Sequence, residues 1–173
     1  YVAQQLIDVA LTHFGDGEGG FFDTADDAEQ LVRRPRDPID GATASGTSSI
    51  AAALLASAAL TGNAPHREAT HRVVALAADL VERFPRFAGA AAAVAEAVLA
   101  GPLEIAVVGS DPLAAIARRT TSPGAVVVTG GESPLLDGRP SGAAYVCRGF
   151  VCDAPVADPV VLAERVKASS LSA

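Results

Sequence analysis

The sequence predicts a mainly α fold that is followed by a small α/β segment. Two observations support this: apolar residues recur at helical spacing as far as residue 100, and compact β-branched runs alternate with turn residues from Leu103 onward. Half of the 173 residues are apolar, whereas only 5% are aromatic. This alanine-rich composition suits closely packed helices. We therefore expect a helical domain over residues 1–102 and a small α/β domain over residues 103–173.

The helical domain is predicted to contain four helices that alternate in character. In chain order they cover residues 2–14, 50–60, 67–84 and 87–100. The first and third are amphipathic and end at Gly15 and Pro85, whereas the second and fourth have almost no polar face. Ser45, Thr47 or Ser48 is expected to cap the second helix.

This alternation is typical of a double layer in which amphipathic helices face water and apolar helices are enclosed. Two hairpins cannot enclose an apolar helix, so further hairpins are expected from the remainder of the same protein. The chain begins at a non-Met residue and contains no Met, and we therefore interpret it as an internal or C-terminal piece. Alone, its uncovered apolar faces would favour self-association.

The C-terminal segment has the pattern of a βαβ unit. Residues 104–108 and 125–129 are predicted to be strands, and Asp111-Pro112 to open a helix between them. This order predicts a right-handed crossover and a parallel strand pair. A third strand is expected over residues 143–147 and a final helix over residues 158–167.

Several classes of function are disfavoured by composition and spacing. The net charge is −7 and the chain is almost without lysine, which argues against nucleic acid as a partner. No apolar run is long enough for a membrane span, and no spacing typical of a metal or cofactor site occurs. For Cys147 and Cys152, two half-buried thiols are the favoured interpretation, with a labile disulfide as the alternative.

Residues 15–49 form the long loop around which the chain is organised. They combine two adjacent phenylalanines with eight carboxylates and three arginines. In this segment Phe21 or Phe22 would stack on a sugar face, while nearby carboxylates accept hydroxyl hydrogen bonds or act as acid and base. The carboxylates considered are Asp23, Asp26, Asp27 and Asp40. The competing interpretation is that they are solvated loop residues and helix caps, and that His13 is a packed residue.

Five sequence blocks indicate a family. They are GGFFDTADDAEQLVRRPRDPIDGATASGTSS, PLEIAVVG, PGAVVV, PLLDGRP and AAYVCRGFVCDAPV, in this order. Together they resemble the C-terminal part of the thioredoxin-domain-containing proteins related to spermatogenesis-associated protein 20. The resemblance implies an N-terminal thioredoxin-like domain and an (α/α)6 toroid similar to N-acylglucosamine 2-epimerases. This chain would then hold the last toroid hairpins and the C-terminal strands.

The resemblance also implies a set of ligand-binding residues. The candidates are Phe21, Phe22, Asp23, Thr24, Asp37, Asp40 and Ser45. The chain departs from the family block at Gly41, Ala44 and Thr47, where Asn, Pro and Asn are expected, so two amide side chains are lost.

Two functional hypotheses follow for a cytoplasmic protein. In the first, the toroid cleft of the full-length protein binds a carbohydrate-like molecule and acts on it as an epimerase or hydrolase, without a metal or cofactor. In the second, the region is a non-catalytic module that packs on the thioredoxin-like domain. Redox chemistry at the two cysteines is a third and less favoured hypothesis. This piece alone is expected to be inactive, because a toroid site is assembled from the loops of several hairpins.

Overall fold

A computed structural model describes residues 2–29 and 32–171. About 49% of the chain is helical, and a small four-stranded mixed sheet is present, which confirms a mainly α fold with a small α/β part. In chain order the elements are α1 (Val2–Phe14), α2 (Gly46–Thr61), α3 (Ala64–Arg83), a 3₁₀ turn (Pro85–Phe87), α4 (Gly89–Ala100), β1 (Glu104–Val108), α5 (Asp111–Ala117), β2 (Val126–Val128), β3 (Ala143–Arg148), β4 (Val151–Cys152) and α6 (Pro159–Leu171). Among the described residues, no helix combines the length and apolar composition needed to cross a bilayer.

The chain forms two compact units. The first contains the residues up to Leu55 together with Ala64–Ala95, and the second contains Ala56–Asn63 and the chain from Glu96 onward. This division assigns the last turn and a half of α2 and the end of α4 to the unit that holds the sheet. The domain boundary predicted after residue 102 stays a prediction.

The four predicted helices are all present, but α1 does not bury the predicted stripe. Val2, Leu6 and Val9 are 67%, 64% and 49% exposed, and no residue of α1 is fully buried. The partly buried apolar residues of α1 are instead Ile7, Ala10, Leu11 and Phe14. The backbone N–H of Phe22 bonds to the carbonyl of Phe14, so the loop folds back on the end of the helix.

The two apolar helices are only partly enclosed by this chain. In α4, Ala91, Val94 and Ala97 are buried at three-residue spacing, whereas Leu99 is 87% exposed. Ala52 in α2 is exposed as well. This chain therefore leaves parts of both apolar helices uncovered, and their enclosure by further hairpins stays a prediction. In α3, His66 is buried, although a histidine at the beginning of an amphipathic helix is expected to be solvated.

The second unit is built on a sheet with the strand order β2-β1-β3-β4. β1 pairs in parallel with β2 and antiparallel with β3, so the predicted βαβ unit and third strand are confirmed. Residues of β1 alternate between two cores, as the pleat of a strand requires. Ile105 and Val107 pack with α5 and α6 on one face, and Ala106 packs with Tyr145 and Cys147 on the other.

Cys147 and Cys152 form a disulfide, and the expectation of two half-buried thiols is wrong. The physical reason is strand register. β4, which was not predicted, follows β3 after a two-residue turn and places Cys152 directly opposite Cys147. The next hydrogen bond joins the N–H of Asp153 to the carbonyl of Val146, so the cysteines form a non-hydrogen-bonded pair. In such pairs the side chains are at their closest.

Candidate functional site

The loop between α1 and α2 is held by its first phenylalanine. Gly15 and Phe21 form an isolated antiparallel bridge, and the N–H of Asp16 bonds to the carbonyl of Gly20 at 3.0 Å. The ring of Phe21 is 4% exposed. A ring this buried contributes to the core and offers no face to a ligand in this conformation.

An ion pair between the buried Asp16 carboxylate and the partly exposed Arg36 supports the same turn. Asp16 accepts the N–H groups of Glu18 and Gly20, both at 2.8 Å, and its other oxygen lies 2.7 Å from Arg36 Nη1. Burial opposes the charge on Asp16, but these hydrogen bonds and the arginine outweigh it, so the pKa of the carboxyl is lowered. A Cβ on Gly20 would collide with the Arg36 guanidinium and the Asp16 carboxylate, so a side chain there would have to displace the ion pair.

Arg34 organises the middle of the loop. Its guanidinium lies 4.1 Å from the ring centroid of Phe22, and Nη2 donates to the carbonyls of His13 at 3.0 Å and Thr24 at 2.5 Å. The stacked arginine covers one face of Phe22. Asp23 is also engaged, since its Oδ2 accepts the N–H of Asp37 at 3.0 Å. Arg34, which was not among the candidates, thus contacts two residues of the Phe-Phe-Asp-Thr block, Phe22 and Thr24.

Asp40 joins the beginnings of two helices. Its Oδ1 accepts the N–H of Ser45 at 2.8 Å, and its Oδ2 accepts the N–H groups of Ala90 and Ala91 at 2.8 and 3.1 Å. Burial opposes ionisation, but these donors and Ser48 lower the pKa of the carboxyl. Ser45 caps α2, because its Oγ accepts the N–H of Ser48 at 3.1 Å. Both side chains are buried and serve the helix ends.

The exposed chemistry of the loop is concentrated at His13, Asp26 and Asp27. His13 Nδ1 lies 2.7 Å from Asp26 Oδ1 and 3.7 Å from Asp27 Oδ2. His13 is the last basic residue of α1, and the backbone N–H of Asp26 bonds to the carbonyl of His13 at 2.9 Å, which holds the two side chains together. One nitrogen of His13 and one carboxylate oxygen each of Asp26 and Asp27 lie within 4.8 Å of one another.

The His13–Asp26 contact fixes the tautomer of the imidazole. A carboxylate only accepts hydrogen bonds, so Nδ1 carries the proton and Nε2 is the acceptor of the neutral ring. The hydrogen bond to Asp26 raises the pKa of His13, and the same bond lowers the pKa of Asp26. The pair therefore has the two parts of an acid–base group, an imidazole that can take up and release a proton and a carboxylate that orients it.

The candidate residues divide into three groups. Phe22 and Thr24 contact Arg34, and Asp23 accepts the N–H of Asp37. Asp40 and Ser45 cap helices, and Phe21 is in the core. Asp37 is exposed, and its Oδ1 accepts the N–H of Ile39 at 2.9 Å. Whether any of them touches a ligand stays a prediction.

Asp26 and Asp27 are among the carboxylates that the sequence predicts for a site, whereas His13 and Arg34 are not. His13 lies on an apolar stripe, which is typical of a packed residue, and Arg34 stands out only as part of a sequence block. One signal was present: an acidic pair, Asp26-Asp27, follows a histidine at a helix end within a glycine-rich loop. A loop of that composition folds back on the helix end readily.

A small apolar cavity lies beside the loop within the first unit. It has a volume of about 20 Å³ and is lined by Pro38, Thr47, Ser48, Ala51, Val73, Val74, Ala77, Ala91 and Val94. This volume accommodates about one water molecule and is far too small for a sugar.

No family model matches the chain, and no curated protein sequence matches it significantly. The family resemblance therefore stays a prediction.

Proposed function

We propose that the loop binds a small polyhydroxylated, carbohydrate-like molecule through His13, Asp26 and Asp27. The hydrogen bond of 2.7 Å between His13 and Asp26 carries the proposal, because it combines an oriented imidazole with carboxylates at an exposed position. Sugar hydroxyls are both donors and acceptors. Asp26 and Asp27 would accept from them, and His13 Nε2 would accept or donate according to its protonation.

We further propose that the helices belong to an (α/α)6 toroid of a cytoplasmic thioredoxin-domain protein. Uncovered apolar residues support this, since Leu99 of the apolar helix α4 and the Val2, Leu6 and Val9 stripe of the amphipathic helix α1 are exposed. Additional hairpins of the same protein would cover them. The assembled cleft would then use the His13–Asp26 pair for proton transfer in an epimerase-like or hydrolase-like reaction.

Ligand binding is tested by NMR on the full-length protein. Glucose, mannose, N-acetylglucosamine, glycerol and sorbitol are titrated while the ring signals of His13 and the backbone amides of residues 21–40 are followed. At least one sugar is expected to shift the His13 ring signals in a saturable manner. Asp26→Asn should weaken that binding about tenfold, because a charge-assisted acceptor is lost.

Glu29→Gln provides the matched control. Glu29 is an exposed carboxylate of the same loop, so the substitution changes the net charge equally without touching the pair. Its sugar affinity should equal that of the wild type. If no sugar or polyol shifts the His13 signals, the binding proposal is wrong and the non-catalytic module is favoured.

A divalent cation is the second candidate ligand. One histidine nitrogen and two carboxylate oxygens within 4.8 Å of one another are a ligand set that a single ion can span. Zinc titration in the absence of sugar distinguishes this possibility. Zinc binding would displace the Nδ1 proton and abolish the pH titration of His13, whereas sugar binding would leave that titration in place.

A further inference from the structure

The hairpin of β3 and β4 carries a second group of reactive side chains. Its disulfide links Cys147, which is 2% exposed, to Cys152, which is partly exposed on the short edge strand. Val151 beside it is 78% exposed. Cys152 is therefore the more accessible residue of the pair, and we expect a thiol from solvent to attack its sulfur.

A cation lies against both sulfurs. Arg139 Nη2 is 3.0 Å from Cys152 Sγ and 3.6 Å from Cys147 Sγ. The guanidinium is stacked 4.5 Å from the ring centroid of Tyr145, whose hydroxyl donates to the carbonyl of Pro140 at 3.2 Å. Within the described part of the chain, no carboxylate pairs with Arg139. Its charge therefore acts on the sulfurs, and a neighbouring cation favours a thiolate over a thiol.

The turn between the two cysteines is also unusual. Phe150 has a φ of 65°, and it is the single non-glycine residue with positive φ in the described ranges. Its backbone N–H donates to Glu104 Oε2 at 2.7 Å, and its ring lies 3.3 Å from the position of a Cβ on Gly62. A bulky residue in this region costs free energy and persists only where its surroundings impose it. The disulfide is one of the constraints that hold this turn.

We propose that Cys147–Cys152 is a thiol–disulfide exchange site that reacts with a dithiol. A thiolate of the dithiol attacks Cys152 Sγ and forms a mixed disulfide, and the electron pair of the broken bond passes to Cys147 Sγ as a thiolate beside Arg139. The second thiolate of the dithiol then attacks the dithiol sulfur of the mixed disulfide. This closes a disulfide within the dithiol and releases Cys152 as a thiolate. The dithiol is oxidised by two electrons, and the two protons it loses balance those taken up by the cysteines.

Arg139 is a positioning residue in this reaction, because it stabilises each leaving thiolate without forming a bond to sulfur. A leaving thiol of lower pKa departs faster, so removing the cation should slow the exchange. This role makes no use of the loop between α1 and α2. The exchange proposal is therefore independent of the proposed sugar site.

The test measures reduction of the folded full-length protein by millimolar dithiothreitol at pH 8. The formation of free thiols is followed by rapid alkylation and mass spectrometry, with circular dichroism recorded in parallel. Both cysteines should become alkylated while the secondary structure persists, and oxidised dithiothreitol should restore the disulfide. Arg139→Gln should slow the reduction about threefold to tenfold, and Arg139→Lys, which keeps the charge, should recover most of the rate.

Arg119→Gln is the matched control, because it removes an exposed arginine of the same unit that makes no contact with sulfur. Its reduction rate should equal that of the wild type. A second measurement compares single thiols: Cys152 in Cys147→Ser should react with 5,5′-dithiobis(2-nitrobenzoate) at least about tenfold faster than Cys147 in Cys152→Ser.

Three results would overturn the proposal. The first is a disulfide that dithiothreitol reduces only after denaturant has unfolded the protein. The second is a reduction rate of Arg139→Gln equal to that of the wild type, and the third is a reversed order of reactivity of the two thiols. Thermal unfolding of each variant shows beforehand whether it is folded, and a variant that is unfolded is replaced by Arg139→Met in the same assay.

Discussion

Removal of the Asp40 carboxylate should destabilise the first unit substantially. In Asp40→Ala, the N–H groups of Ser45, Ala90 and Ala91 lose their acceptor, and the site is 7% exposed in the wild type. A buried donor without a partner costs about 1–3 kcal/mol, and the loss of a helix cap alone costs about 1 kcal/mol. Because water reaches the partly buried Ala90, we expect a total near 3 kcal/mol rather than the sum of three full penalties.

Urea unfolding followed by circular dichroism measures this loss. With a slope of about 2 kcal/mol/M, a loss of about 3 kcal/mol moves the midpoint by about 1.5 M. Asp40→Asn should lose roughly half as much, since its amide oxygen still accepts but its charge is gone. Asp37→Asn is the control, because this exposed side chain accepts one N–H, that of Ile39, and should cost less than about 0.5 kcal/mol.

The pH dependence provides an independent check on the same carboxylate. The pKa of Asp40 is lower in the folded chain than in the unfolded chain, so its contribution is present above the ordinary value of about 3.9. The contribution is lost as the pH falls through the lowered pKa. The stability difference between wild type and Asp40→Asn should therefore shrink below about pH 4. A loss smaller than about 1 kcal/mol in Asp40→Ala at pH 7 would refute the capping argument.

Three further predictions concern other parts of the chain. The pKa of His13 is raised and the pKa of Asp26 is lowered, so their attraction is greatest between about pH 4 and 6.5. The attraction fades as the pH rises through the pKa of His13 or falls through the pKa of Asp26. An NMR titration should show a lower pKa for His13 in Asp26→Asn and no change in Glu29→Gln. Gly62→Ala should lower the free energy of unfolding by about 1–2 kcal/mol in a urea experiment, because the φ of Gly62 is 74° and the new Cβ would meet the Phe150 ring. Gly130→Ala, which has open space around it, should be nearly neutral. Reduction of Cys147–Cys152, whose sequence separation is 5, should lower the unfolding free energy by at most about 2 kcal/mol, as compared by urea unfolding with and without reductant.

The elements of the fold were predictable wherever a local pattern specifies them. Apolar periodicity located α1 to α4, and β-branched runs located β1, β2 and β3, because these patterns determine which face of a segment is buried. β4 contains two residues and has no period, so it was missed. The disulfide was accordingly the less favoured alternative, since its formation depends on the register of that strand.

The contacts of the loop were not predictable in the same way. Asp40 bonds to Ala90 and Ala91, about fifty residues further along the chain, and Arg34 bonds to the carbonyl of His13. Such contacts depend on how the helices pack, which no local window contains. The sequence therefore indicated a functional loop but did not distinguish its structural carboxylates from its accessible ones.

Burial and hydrogen bonding separate the acidic residues of this loop into two kinds. Asp16 and Asp40 have their oxygens occupied by backbone donors or an arginine and are shielded from water, so their charge stabilises the fold. Asp26 and Asp27 are exposed, and their side-chain partner is His13. A ligand can therefore bind to Asp26 and Asp27 without breaking a helix cap. Substitution at Asp40 should therefore change stability, whereas substitution at Asp26 should change the titration of His13 and the binding of sugar with little effect on unfolding.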